Sequence, residues 1–147
     1  MNSIEILIGL IKQFEGCRLE AYFDATGNCW TIGWGCCGVG ITEGTEWTQR
    51  LADNELYIRA EKALASALKA SPILVKESKG KQAAIADLIY NMGLYGYVGH
   101  SLKPYVDKGE WVNAASEILL FCNSGGKPLQ GLKNRRMAEA KLLLLQE

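Results

Sequence analysis

The chain has 147 residues, 48% of them hydrophobic and 22% charged, with only 3 prolines. That is enough for one domain with its own core, and too apolar for a disordered chain. Its 16 basic and 16 acidic residues cancel, which removes the surplus of positive charge that nucleic-acid binding draws on.

Ile4, Leu7, Ile8, Ile11 and Phe14 recur at helical spacing and predict an amphipathic helix over residues 3–14, with Ser3 as a candidate N-cap and Gly16 as the stop. The apolar run Ile6 to Ile11 is too short to span a bilayer and lacks a basic leader or a small-residue cleavage site. A cytoplasmic chain with no stable membrane insertion is therefore expected. Between about 17 and 46, Gly27, Gly33, Gly35, Gly38, Gly40 and Gly44 punctuate short apolar pieces such as Cys29-Trp30-Thr31-Ile32, the pattern of small strands and tight turns. Helical spacing returns from Thr48 to Ala70, and Pro72 is read as its stop. Further helices are predicted at about 80–92, 101–108, 110–122 and 134–146, separated by Gly93, Gly96, Gly99, Gly109 and Ser124-Gly125-Gly126. The run Leu142 to Leu145 is too short to anchor and closes the last of these. The expected fold class is α+β in a single domain over 1–147: an N-terminal helix, a β-rich lobe at about 17–46, and a helical lobe at about 48–147.

Glu15 ends the first helix beside Phe14. Burying a carboxyl against apolar surface disfavours its charged form, as a general acid near neutral pH requires. Asp24 lies nine residues on, where a strand is expected, and two carboxylates on different elements can flank a glycosidic bond. Thr31, on the next strand, offers a hydroxyl to hold a water. The five cysteines, Cys17, Cys29, Cys36, Cys37 and Cys122, form a poor disulfide framework and no zinc spacing, and are expected as free thiols. His100 is expected at the surface, and Trp30, Trp34, Trp47 and Trp111 mainly in the core, although a sugar-stacking role is open to them.

The segment Phe14-Glu15-Gly16-Cys17-Arg18-Leu19-Glu20-Ala21-Tyr22-Phe23-Asp24, followed by Thr31-Ile32-Gly33-Trp34-Gly35, resembles the active-site segment of phage lysozymes, the endolysins of glycoside hydrolase family 24. The likeness continues in Tyr90-Asn91-Met92-Gly93, Ser101-Leu102, Gly125-Gly126-Lys127 and Gly131-Leu132-Lys133-Asn134-Arg135-Arg136-Met137-Ala138-Glu139, and so runs along nearly the whole chain. It implies a lysozyme-like fold and hydrolysis of the β-1,4 bond between N-acetylmuramic acid and N-acetylglucosamine in peptidoglycan. Glu15 would be the general acid, Asp24 the second carboxylate, Thr31 its water-positioning partner, and Arg135 the ion-pair partner of Glu15. Asn91, Trp34 and Tyr22 are the expected substrate-binding residues. The resemblance further implies a monomer, a peptidoglycan strand as partner, no metal or other cofactor, and release from the host cytoplasm through a phage membrane pore.

Two departures bear on the site. Six residues separate Asp24 from Thr31 where relatives usually have five, and an unabsorbed residue would turn Thr31 to the opposite face of its strand. Cys36 stands where relatives commonly carry His. A lytic transglycosylase of similar fold and a non-catalytic cell-wall-binding relative are the competing functions.

Overall fold

The computed structural model describes residues 1–124 and 127–146. Helix α1 (Ser3–Glu15) opens the chain. Asn2, not Ser3, is its cap: the Asn2 side chain accepts the Glu5 N–H at 2.9 Å and the Glu5 carboxylate accepts the Asn2 N–H at 3.2 Å. Ser3 is buried and donates instead to Gln82 Oε1 at 2.5 Å, tying α1 to the helical lobe. Gly16 ends the helix at φ 68°, as its place in the sequence predicts.

Strands β1 (Arg18–Asp24), β2 (Cys29–Gly33) and β3 (Cys36–Cys37) make an antiparallel sheet in that order. The far edge of β1 is covered by residues 45–47, with Ala21 N–H donating to Thr45 O at 2.9 Å and Trp47 N–H to Leu19 O at 2.8 Å. The hairpin register is Tyr22↔Thr31, Phe23↔Trp30 and Asp24↔Cys29, with a bulge between Arg18 and Tyr22. The extra residue noted in the sequence is taken up beyond these pairs, in a four-residue turn over 25–28 that Asn28 closes at φ 52°. Paired residues share a face and alternate residues return to it, so Tyr22, Asp24, Cys29 and Thr31 lie on one side of the hairpin. Thr31 is not flipped away from Asp24.

The lobe's own core is small: Ala21, Ile32, Cys36 and Ile41, flanked by Trp30 and Trp47. Cys29 and Cys37 correct the expectation of free thiols. They lie across the sheet with Cα atoms 6.4 Å apart and form a disulfide, while Cys17, Cys36 and Cys122 are free.

Helix α2 (Gln49–Ala70), capped by the Thr48 hydroxyl, leads out of this lobe and buries Ala52, Leu56, Ala60, Ala63 and Ala67. Pro72 does not simply stop the chain; it takes the first turn of a 3₁₀ helix (Pro72–Lys76), where its missing N–H costs nothing. Helix α3 (Lys79–Met92) runs through the middle of the molecule and buries every residue from Ala83 to Ile89. Around it stand α4 (Leu94–Val98), α5 (Leu102–Asp107), α6 (Trp111–Ile118) and α7 (Gln130–Leu144), with β4 (Asn123–Ser124) and β5 (Lys127–Pro128) paired before α7. Gly125 and Gly126, part of the predicted loop and of the family likeness, lie outside the described residues. Leu143 is buried in the bundle while Leu144 and Leu145 are half exposed, and no helix among the described residues is long and apolar enough to cross a membrane.

Candidate active site

Glu15 is the last residue of α1, and its carboxyl sits between the end of the sheet and the last helix. A Cβ built on Gly35, just after β2, would lie 2.6 Å from Glu15 Oε1, so the carboxyl rests against bare backbone there. On its other side Arg135, on α7, donates Nη1 to Glu15 Oε2 at 2.6 Å. Arg135 is 3% exposed and Glu15 20%, so the arginine is enclosed and the carboxyl stays accessible. The expected apolar setting of Glu15 is thus an ion pair set beside Phe14, whose ring lies 5.9 Å from the Arg135 guanidinium. The pair joins residues 120 apart in sequence.

Arg135 is itself held from behind. Its Nε and Nη2 both donate to Asp87 on α3, each at 2.8 Å, in a bidentate fork. Asp87 is fully buried. Burial alone pushes its carboxyl up, but hydrogen bonds from Arg135 and Glu139 and the neighbouring positive charges hold it below the ordinary aspartate value. Burial opposes the charge on Arg135 as well, and Asp87 and then Glu15 outweigh it and push the guanidinium further up. Removing one member of so buried a pair leaves a lone interior charge, at a cost of about 3–5 kcal/mol. Alongside, Arg136 donates to Asn91 Oδ1 at 2.9 Å and to Glu139 Oε2 at 3.1 Å. Its Nε lies 2.6 Å from Glu139 Oε1, a close charge contact off the hydrogen-bonding line. Burial first, then contact with Asp87, raises the Glu139 carboxyl well above the ordinary range. The sequence assigns no role to Asp87, or to Glu139, which enters only within the family likeness; the signal at Asp87 is an aspartate inside the otherwise apolar run Ala83 to Ile89.

The hairpin supplies the opposite side. Asp24 Oδ1 accepts the Thr26 backbone N–H at 3.0 Å and the Thr26 hydroxyl at 2.7 Å, which fixes the carboxylate over the turn. Burial pushes the Tyr22 phenol up, and the charges of Asp24 and Glu15 add to that, with Arg18 over the ring at 4.5 Å acting the other way. Thr31, 4% exposed, donates to its own strand at Cys29 O, 3.4 Å away, and packs against the Cys29 sulfur at 3.6 Å. The structure therefore gathers Tyr22, Asp24 and Thr31 on one face of the hairpin and pairs Glu15 with Arg135 on the helical side.

Trp34 is half buried; its indole N–H donates to Asp53 at 2.9 Å and Lys12 sits 5.4 Å from its ring. Its carbonyl accepts the Tyr90 hydroxyl at 2.7 Å, which closes the floor beside Glu15. A cavity of about 210 Å³ shares Gly35 and Tyr90 with this floor and is otherwise lined by Arg59, Lys62, Ser66 and Leu94; Glu15, Asp24, Thr31 and Arg135 are not in its wall. Asn91 lines another hollow of about 260 Å³, with Met92, Phe121, Leu132 and Arg136. Burial pushes the Cys36 thiol up, so the residue in the family's histidine position is an unreactive core group. His100 is half buried, its ring edge-on to Phe121, rather than a freely exposed side chain.

The chain matches the phage lysozyme family over residues 12–139. It is 38% identical over 136 residues to an endolysin of Lactococcus phage c2, covering 92% of this chain but only 57% of that protein. An endolysin of Acyrthosiphon pisum secondary endosymbiont phage 1 is 33% identical over 146 residues, with 97% of each chain covered. Among solved structures, the active form of the P1 phage endolysin Lyz superposes with a TM-score of 0.80 at 28% identity, over 95% of this chain and 83% of that one.

Proposed function

The chain belongs to the phage lysozyme family, and from that premise we propose that it is an endolysin that hydrolyses the β-1,4 bond between N-acetylmuramic acid and N-acetylglucosamine in peptidoglycan. Glu15 is the general acid that protonates the leaving oxygen. Asp24 acts across the gap as the second carboxylate, with Thr31 on the same hairpin face as its partner in holding water. Asn91, Trp34 and Tyr22 line the path of the glycan. The observation that carries this reading is the 2.6 Å contact between Arg135 and Glu15: it holds in place a carboxyl, still 20% exposed, that belongs to the segment most like the family's active site. The protein acts as a monomer on the wall, after release from the host cytoplasm through a phage membrane pore.

The test is turbidity clearing of purified peptidoglycan, with mass spectrometry of the released sugars, for the wild type and Glu15→Gln. Reducing-end fragments from the wild type and a loss of about two orders of magnitude or more in the variant are expected, since removing general acid catalysis alone costs that much. Anhydro-muramyl products would replace hydrolysis by transglycosylation. No release by the wild type would overturn the enzymatic reading.

A further inference from the structure

We propose that Asp87 is a positioning residue for this reaction: it fixes the Arg135 guanidinium against Glu15 and supplies the negative charge that offsets it, so that Glu15 can hold the proton it must donate. The inference rests on Glu15 being the general acid.

A cation in contact with a general acid presents a conflict. It steadies the carboxyl, but it also favours the ionised form, which cannot donate. The geometry resolves the conflict from the side away from solvent. Arg135 has one nitrogen on Glu15 and two on Asp87, so the larger part of its hydrogen bonding is spent on the residue that does not react. The bidentate fork fixes the plane of the guanidinium, which a single contact to Glu15 would not. Asp87 is anchored in the central helix, within its fully buried stretch, so the reference point for this alignment is the most enclosed part of the fold. Arg135, by contrast, lies in the second turn of α7 and carries a long side chain that reaches across to α1. A residue in that place needs an anchor from another element, and Asp87 provides it.

The charged and titratable groups that act on Glu15 or on the charge behind it come from three elements: Arg135, Arg136 and Glu139 on α7, Asp87 and Tyr90 on α3, and Tyr22 on β1. Tyr90 is pushed up first by its burial and Tyr22 likewise, so neither phenol supplies negative charge near neutral pH. Asp87 is the anion in direct contact with Arg135 besides Glu15 itself.

Asp87→Asn keeps the size and one acceptor but removes the charge. The expected result is a shift of the alkaline limb of the rate–pH profile to lower pH, because a cation no longer offset by Asp87 favours the ionised form of the acid beside it. The maximal rate should fall about tenfold or more through loss of alignment, while the KM for peptidoglycan changes little. A folded Asp87→Asn protein with the wild-type profile would overturn the proposal. If that variant does not fold, nitrogen-15 NMR of arginine-labelled Glu15→Gln decides instead. An Arg135 Nε–H that stays protected from exchange without the Glu15 charge supports Asp87 as the anchor, and one that exchanges freely overturns it. The parent reading fails separately: Glu15→Gln with near-normal glycan release would remove Glu15 as the acid whatever Asp87→Asn does.

Discussion

Gly35 stands at φ 85° with the Glu15 carboxyl pressed against the place where a Cβ would be. Gly35→Ala therefore meets two penalties, a left-handed backbone that an L side chain resists and a clash with Glu15. The first costs about 1 kcal/mol. The second displaces Glu15 from Arg135. A drop of a few degrees in Tm with a disproportionate loss of lytic activity, about tenfold or more, is expected from calorimetry and turbidity assays on the same preparation. A loss of Tm with unchanged specific activity would mean that Glu15 relaxes without functional cost. At this scale the sequence was readable where chemistry follows chain order. Glu15 at a helix end, Asp24 and Thr31 on neighbouring strands and Arg135 near the C-terminus could each be picked out, mostly through likeness to the family. Glu139 was visible only as part of that likeness, with no role attached, and Asp87 was not picked out, because nothing local says which distant arginine an aspartate in an apolar helix will meet. The Cys29–Cys37 pair was hidden for a similar reason: an odd cysteine count carries no pairing rule, and only the hairpin register brings the two together.

The helices depend on how small their facing residues are. The buried side of α2 is Ala52, Leu56, Ala60, Ala63 and Ala67, and α3 answers with Ala83, Ala84 and Ala86. Alanines on both sides let two helices approach closely, and they leave no room for a larger side chain. Ala60→Leu, at a position with no exposure, should destabilise the fold by about 1–3 kcal/mol through overpacking. A denaturant midpoint equal to the wild type, at an unchanged slope, would show that the interface can open at no cost. Periodicity made α1, α2 and α3 legible nearly to their ends. It was weakest where glycine and proline dominate: Pro72 marked the end of α2 but not the 3₁₀ turn that it starts, and Gly93, Gly96 and Gly99 hid the short helix α4. Helix α7 begins at Gln130, before the predicted 134, because polar residues at its start mask the helical pattern.

Among the described residues the buried apolar groups form two unequal cores. The larger runs through α1, α2, α3 and the C-terminal helices, and the smaller holds four buried residues, Ala21, Ile32, Cys36 and Ile41, under a three-stranded sheet. The division into lobes was visible in the change from helical spacing to glycine-rich pieces, but their relative strength was not, because burial depends on which faces meet. The proposed reaction needs both lobes, with Glu15 and Arg135 on the stronger and Asp24, Tyr22 and Thr31 on the weaker. A lobe with few buried apolar groups opens at lower free energy than the main body. On heating, glycan cleavage is therefore expected to fail several degrees before helical circular dichroism does, with hydrogen exchange first at the amides of β1 and β2. Coincident loss of activity and helicity would show a single cooperative unit instead. The disulfide between Cys29 and Cys37 sits inside that weaker lobe, so its redox state sets the working temperature of the protein more than its melting point. Reduced and oxidised samples would share one unfolding curve by helicity and yet have different heat limits for lysis.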